Sequence, residues 1–332
     1  MNKSIIIRCN KGLAKTCIQE LKAKNLILRN ERPTIVFQKN DDLIFLAKGF
    51  LKEHEKSLRI PEEIYDCLAY GKFKISKNQI SKIVKSLKKN QKYKIVAIVE
   101  GTHFFKKSLR NWLEKELKAK GILFSADGKE IWIFCIDSAY YIGLENFHHR
   151  QVSNRKNRTQ ERQGSLPPTV ASAMCFVANP KDGEVIWDPT CGSGTILAEI
   201  GETKKNLKLF GSDIDKRAVA IAKANLRFLK NTEIKQEDST KTKLENDSID
   251  VIIANLPFGK QFGNLENNEK LYCDLFQEFI RVGSKKCRIV LITSDIDAVN
   301  LGLEENKKLK LIKAINTKIK GESAKILEIW IK

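Results

Sequence analysis

Along the chain, short apolar runs suited to strands alternate with segments whose apolar residues return every three or four positions, the spacing of a helix that buries one face. Ile5–Arg8 reads as a strand, Gly12–Lys24 as a helix with Leu13, Cys17, Ile18 and Leu21 on one face, and Pro33–Gln38 as a strand. A helix over Asp41–Phe50 and a short strand over Leu58–Ile60 complete a small α/β unit expected at residues 1–60. From Pro61 the pattern predicts helices over Ile64–Tyr70 and Lys77–Lys89, the strand Tyr93–Glu100, the helix Lys106–Lys120 and the strand Ile131–Ile136, making a second α/β unit of residues 61–146. Residues 148–164, HHRQVSNRKNRTQERQG, show no period and almost no apolar side chain, so a basic linker is expected over 147–165.

In the remainder, 166–332, strand and helix take turns as a parallel sheet requires. Strands are expected at Val185–Trp187, Leu207–Ser212, Glu233–Gln236, Ile249–Ala254 and Cys287–Thr293, with helices near Thr195–Glu202, Lys216–Phe228 and Leu271–Val282 between them. Leu309–Ile319 and Ala324–Ile331, joined by Lys320-Gly321-Glu322-Ser323, read as a hairpin at the sheet edge. The fold class expected is α/β, a mostly parallel Rossmann-like sheet with an antiparallel edge, preceded by two smaller α/β units.

Charge divides the 332 residues unevenly. Residues 1–164 carry 34 Lys+Arg against 17 Asp+Glu, while residues 165–332 carry 26 against 23. With 42% hydrophobic residues the chain is globular, and a net charge of +20 points to a polyanionic partner for the first half. The densest stretch, Gly71–Arg110, holds Lys72, Lys74, Lys82, Lys85, Lys89, Lys106, Lys107 and Arg110 with Glu100 as its only acid; these residues, with Arg155 and Arg158 of the linker, are the candidate phosphate contacts. Eight scattered cysteines form no C-x-x-C and have no nearby histidine pair, which suits reduced, buried thiols; no metal is expected. No apolar run reaches the ~18–20 residues of a membrane helix, and Met1–Asn10 lacks the long apolar stretch of a signal peptide, so a cytoplasmic protein is expected.

Candidate chemistry sits in loops at the carboxyl ends of the predicted strands. Asp188-Pro189-Thr190-Cys191-Gly192-Ser193-Gly194-Thr195 follows one strand and opens a helix, and its glycines let the backbone approach a ligand in the crevice where open α/β sheets bind. No Walker pattern is present. Gly211-Ser212-Asp213-Ile214-Asp215 ends the next strand and can place a carboxylate on ribose hydroxyls, and Gln236-Glu237-Asp238-Ser239 suits an adenine edge. Asn255-Leu256-Pro257-Phe258-Gly259 ends the fourth. An exocyclic amine on a base is a poor nucleophile with two N–H groups to place; the Asn255 side-chain oxygen and the Leu256 carbonyl can accept both, Pro257 stiffens the turn, and Phe258 offers a face for a flipped base.

DPxCGSGT, then SDID at a strand end, then N-L-P-F-G resembles the S-adenosylmethionine-dependent methyltransferases that act on amines of nucleic-acid bases. Gly164-Ser165-Leu166-Pro167-Pro168-Thr169-Val170-Ala171 is similar to the segment these enzymes place beside the methionine part of the cofactor, and Tyr93–Leu109 with Tyr141-Ile142-Gly143-Leu144 resembles a THUMP domain behind a ferredoxin-like unit. The resemblance covers essentially the whole chain and is to THUMP-containing RNA guanine-N2 methyltransferases, nearest the type acting on guanosine 6 of the tRNA acceptor stem. It implies S-adenosylmethionine held by Pro168, Thr169, Asp188, Thr190, Gly192, Gly194, Asp213, Ile214, Asp238 and Ser239, a target held by Asn255, Leu256, Pro257 and Phe258, and tRNA as partner. Leu256 departs from the commoner N-P-P-Y form, and the THUMP-like segment is richer in lysine than is typical. Alternatives are an rRNA guanine-N2 or DNA adenine-N6 methyltransferase, or an RNA-binding scaffold with a silent catalytic fold. No feature requires symmetric assembly, so a monomer is expected, and the need for an activator subunit is left open.

Overall fold

The computed structural model describes residues 3–27, 32–39, 41–50, 57–101, 104–146, 164–258 and 265–332. The chain divides into two units, Met1–Val152 and Ser153–Lys332. In the first, β1 (Lys3–Asn10), α1 (Ala14–Ala23), β2 (Thr34–Phe37), β3 (Asp41–Phe50), β4 (Glu63–Lys72), α2 (Lys77–Ser86), β5 (Lys92–Glu100), α3 (Lys106–Lys118), β6 (Leu123–Phe124), β7 (Lys129–Ile136) and β8 (Ala139–Glu145) follow in order. Their strands form a single sheet, β2-β3-β1-β4-β8-β7-β5-β6. Residues from either side of position 60 are therefore hydrogen-bonded together, through the antiparallel pairing of β1 with β4.

Two segments read as helices are strands. In β3 the run Leu43-Ile44-Phe45-Leu46 is buried throughout because the strand is covered on both faces and paired on both edges, by β1 and β2. Such a run has neither period and cannot by itself separate a buried helix from a buried strand. In β4 a register shift between Cys67 and Ala69 interrupts the alternation that would have marked it. The strand expected at Leu58–Ile60 is instead irregular backbone: Leu58 and Ile60 are buried, while the N–H groups of Arg59 and Ile60 are taken by the two oxygens of the buried Glu20 carboxylate at 3.0 and 3.1 Å. A carboxylate does here what a neighbouring strand would otherwise do for these amides.

The second unit contains α4 (Pro168–Ala178), β9 (Val185–Asp188), α5 (Thr195–Thr203), β10 (Lys208–Asp213), α6 (Lys216–Leu226), β11 (Thr232–Gln236), β12 (Ile249–Asn255), α7 (Leu265–Val282), β13 (Gly283–Thr293), α8 (Ile296–Glu305), β14 (Leu309–Ile319) and β15 (Glu322–Ile331). The sheet order is β11-β10-β9-β12-β13-β15-β14, with the first five strands parallel and the last two antiparallel. This is the Rossmann-like class I arrangement, and the strand order reverses between β9 and β12, where such sheets open a ligand crevice. Trp187, Tyr272, Phe276 and Phe279 anchor the core on one face, with Trp187 edge-on to Phe279 at 5.7 Å between centroids. Helix α4 had no signature in the sequence because nearly all of it is buried, which leaves no polar face to set a period.

Candidate active site

Four strand ends meet at one cavity of about 730 Å³ at the carboxyl edge of the second unit's sheet. Asp188, the last residue of β9, is 1% exposed, and its Oδ1 accepts the Thr190 N–H at 3.1 Å. Burial pushes its carboxyl well above the ordinary range; the Thr190 hydrogen bond opposes this, and the neighbouring Asp213 adds to it. The Thr190 hydroxyl in turn donates to the Asn255 carbonyl at 3.1 Å, tying the glycine loop to the end of β12. Gly194 caps α5 with φ +79°, and a Cβ there would lie 2.8 Å from Leu226 Cδ1, so both backbone and packing demand glycine.

Asp213 ends β10 with its two oxygens on the Gly192 and Asp215 N–H groups, each at 2.9 Å. A carboxylate offers about four acceptor sites, so this locks its orientation and leaves capacity for a ligand's hydroxyls. Beside it Ile214 is 74% exposed at the cavity wall, an apolar surface open to a flat ring. Farther along, hydrogen bonds from the Thr240 N–H and hydroxyl hold the Asp238 carboxyl below its usual range, and the Ser239 hydroxyl donates to the Pro189 carbonyl. Trp187 Nε1, Ser212 Oγ and Glu237 form a hydrogen-bonded chain across the tips of three parallel strands at 3.0 and 2.6 Å.

At the end of β12 the Asn255 amide nitrogen reaches the Gly164 carbonyl at 3.5 Å, while its Oδ1 is buried with no hydrogen-bond partner among the described residues. A buried acceptor left unpaired costs about 1–3 kcal/mol, which a donor brought by a ligand would recover. Leu256 N–H donates to the Ile292 carbonyl at 3.1 Å, continuing the β12–β13 ladder into the turn. The turn is further pinned by Tyr272 on α7, whose hydroxyl donates to the Pro257 carbonyl at 2.8 Å and meets Thr293 Oγ1 at 2.7 Å. Nothing in the spacing of the sequence singled out Tyr272, which lies 15 residues past Pro257 on a helix whose start falls nearer the turn than the periodicity suggested. Tyr272→Phe is expected to slow turnover about tenfold at unchanged cofactor affinity and to lower the urea midpoint, because the Pro257 carbonyl loses its partner; unchanged turnover in stopped assays would remove Tyr272 from this role.

Of the expected site residues, Asp188, Thr190, Gly192, Asp213, Ile214, Asp238 and Ser239 line the cavity together with Asn255, Leu256, Pro257 and Phe258. Pro168 and Thr169 do not; both are buried in the first turn of α4, behind the wall formed by Ser165 and Leu166. Gly194 acts from behind as well. Glu237, from the motif expected at an adenine edge, lines it too, and Thr240 and the hairpin residues Ile319, Lys320 and Glu322 line it without having been singled out. Cys191 also faces it, with burial first and then Asp188 and Asp213 pushing its thiol far up, so it stays protonated and is no nucleophile. In the first unit Lys72, Lys74, Lys82, Lys85, Lys89, Lys106, Lys107 and Arg110 are exposed and have no ion-pair partner among the described residues. Arg155 and Arg158 lie outside the described residues, as does Gly259. No cluster of three or more metal-ligating side chains occurs among the described residues, and no described helix is long and apolar enough to cross a membrane.

Residues 155–325 match the UPF0020 family, described as the RMKL-like methyltransferase domain. The U6 snRNA (guanine-N(2))-methyltransferase THUMPD2 of Bos taurus is 25% identical over 287 residues, 83% of this chain and 53% of that protein. The tRNA (guanine(6)-N2)-methyltransferase of Methanocaldococcus jannaschii is 25% identical over 194 residues, 46% of this chain and 51% of that one. The chain thus spans about half the length of these curated relatives. Among solved structures, TrmN from Thermus thermophilus superimposes with a TM-score of 0.82 at 18% identity, covering 99% of this chain and 100% of its own.

Proposed function

The chain belongs to the UPF0020 family of RMKL-like methyltransferase domains, and from that premise we propose that it methylates the exocyclic N2 amine of a guanosine in RNA, with guanosine 6 of the tRNA acceptor stem as the target. The observation that carries this is the buried Oδ1 of Asn255 at the end of β12, which has no partner among the described residues. It is an acceptor placed where an amine N–H is wanted, with the Leu256 carbonyl adjacent for the second hydrogen and Phe258 for the face of the base. The two relatives described above, both named for guanine N2, support the choice of amine.

The cavity also fits S-adenosylmethionine. Among the described residues its charged lining is Asp188, Asp213, Asp215, Glu237, Asp238 and Glu322 against Lys320, an acidic pocket in a chain of net charge +20. A ligand bearing a sulfonium and an ammonium would favour the ionised form of Asp188 that burial disfavours. Asp213 would hold the ribose, Ile214 would pack on the adenine, Asp238 and Ser239 would face its amine, and the loop Asp188–Gly194 would close around the rest. When bound, the cofactor supplies a methyl group already activated as an electrophile, so the chain needs no covalent intermediate. Asn255 and the Leu256 carbonyl orient the amine by its hydrogens and favour the positive charge that grows on it.

We read residues 1–60 as ferredoxin-like and 61–146 as a THUMP unit whose exposed lysines, with Arg155 and Arg158 of the 147–165 linker, bind tRNA phosphates, and the whole as a cytoplasmic monomer. The test is incubation of the protein with labelled S-adenosylmethionine and, separately, tRNA transcripts, ribosomal RNA, U6-type snRNA and duplex DNA, followed by nucleoside mass spectrometry. N2-methylguanosine in tRNA, lost when guanosine 6 is changed to adenosine, is the expected product. The same nucleoside in another RNA keeps the chemistry and moves the substrate; N6-methyladenine in DNA overturns the reading.

A further inference from the structure

We infer that the tip of the β14–β15 hairpin reads the Watson–Crick edge of the target guanine, the Lys320 ammonium donating to O6 and the Glu322 carboxylate accepting from N1–H; this rests on the functional reading above. The sheet order places the tip. The loops assigned to the cofactor follow β9, β10 and β11 on one side of β12, whereas β13 and then β15 lie on the other. Because β15 runs antiparallel to β13, with Thr293 opposite Lys325, its first residues project beyond the carboxyl end of β13, on the same edge as Asn255. Two strand spacings separate β12 from β15, about 10 Å, which accommodates a purine edge with a hydrogen bond of about 2.9 Å at each end.

The turn makes this tip a fixed template. Lys320 at φ +50° and Gly321 at φ +91° are the two central residues of a two-residue hairpin, the primed turn whose twist matches its strands. Ile319 and Glu322 are paired across it, so their side chains share one face of the ribbon, and both line the cavity with Lys320. Ile319 is buried there, whereas Lys320 and Glu322 are exposed and carry no side-chain hydrogen bond or ion pair among the described residues.

The chemistry of the three groups matches one base. From Asn255 outward the site offers an acceptor, an acceptor and a donor; the edge of guanine offers N2–H, N1–H and O6 in the complementary order. Adenine reverses the last two and lacks the first. The Glu322 carboxylate also lies where positive charge spreads from N2 towards N1 as the amine is alkylated, so its contribution is greater in the transition state than in the bound substrate.

The experiment uses tRNA assembled from a synthetic 5′ oligonucleotide carrying either guanosine or 2,6-diaminopurine riboside at position 6. The analogue keeps the N2 amine and inverts the other two positions. The wild-type protein is expected to prefer guanosine in kcat/KM by about 100-fold or more, and Glu322→Gln and Lys320→Met each to lose about 10- to 100-fold on guanosine. On the analogue each variant loses less than about twofold, so the preference collapses, while affinity for S-adenosylhomocysteine by calorimetry is unchanged. Equal losses on both substrates overturn the inference, since the pair would then serve phosphate binding or the hairpin itself. Absence of N2 methylation by the wild-type protein on any guanosine substrate overturns the functional reading and this inference with it; methylation with the preference unmoved in both variants overturns the inference alone.

Discussion

Replacing Asn255 by alanine is expected to lower the rate of methyl transfer by about 100- to 1000-fold, the range seen when one preorganised polar contact to developing charge is removed. The loss should fall on kcat and leave cofactor affinity within about twofold, because among the described residues the Asn255 side chain has no hydrogen bond to the loops after β9, β10 and β11, while its backbone carbonyl accepts from Thr190 and alanine keeps that. Stability should hold or rise, since the variant deletes a buried acceptor that has no partner among the described residues. Single-turnover rates with saturating RNA, read beside calorimetric binding of S-adenosylhomocysteine, check all three. Wild-type turnover by the variant would remove Asn255 from the chemistry.

Asp188→Asn is expected to move stability and ligand affinity in opposite directions. Folding encloses this carboxyl completely and raises its pKa, so its contribution to stability is fully present below the unfolded value of about 3.9 and is lost as pH rises through the higher folded value. At pH 7 the apo protein therefore pays for the group, and the amide variant, which keeps the acceptor for the Thr190 N–H, should be more stable by roughly 0.5–2 kcal/mol in urea titrations. Cofactor affinity should fall about 10- to 100-fold, as for loss of a charge-assisted contact. In the wild-type protein affinity should strengthen with rising pH as Asp188 ionises, and in the variant that slope should flatten. A variant that binds as tightly as wild type across pH would show that Asp188 shapes the loop without meeting the ligand.

The loops that line the cavity and that we propose carry the chemistry were legible because each joins a strand end to residues whose types are dictated by local geometry. Gly194 has no space for a Cβ, Asp213 reaches two amides, and Asn255 ends a buried strand with an oxygen that has no partner among the described residues. Their partners from other elements were not legible. Tyr272 reaches the Pro257 turn through the packing of α7, and Lys320 and Glu322 reach the cavity through the register of β14 with β15, neither of which any local spacing encodes. The same limit explains β3 and β4. An unbroken apolar run and a bulged strand both lack a period, and only pairing with β1 shows what they are. Helix α4 was missed for the converse reason, being enclosed on all sides.

The way β1 sits between β3 and β4 has a bearing on how the chain can be cut. The sheet of the first unit ends in β2 and β6, strands of four and two residues, which are short edges. A fragment beginning near Pro61 would remove β1, β2 and β3 together and turn β4, ten residues long and interior, into a bare edge. Its unpaired amides and carbonyls would template chain-to-chain pairing, so such a fragment should come out of cells as aggregate even though its remaining helices and strands are intact.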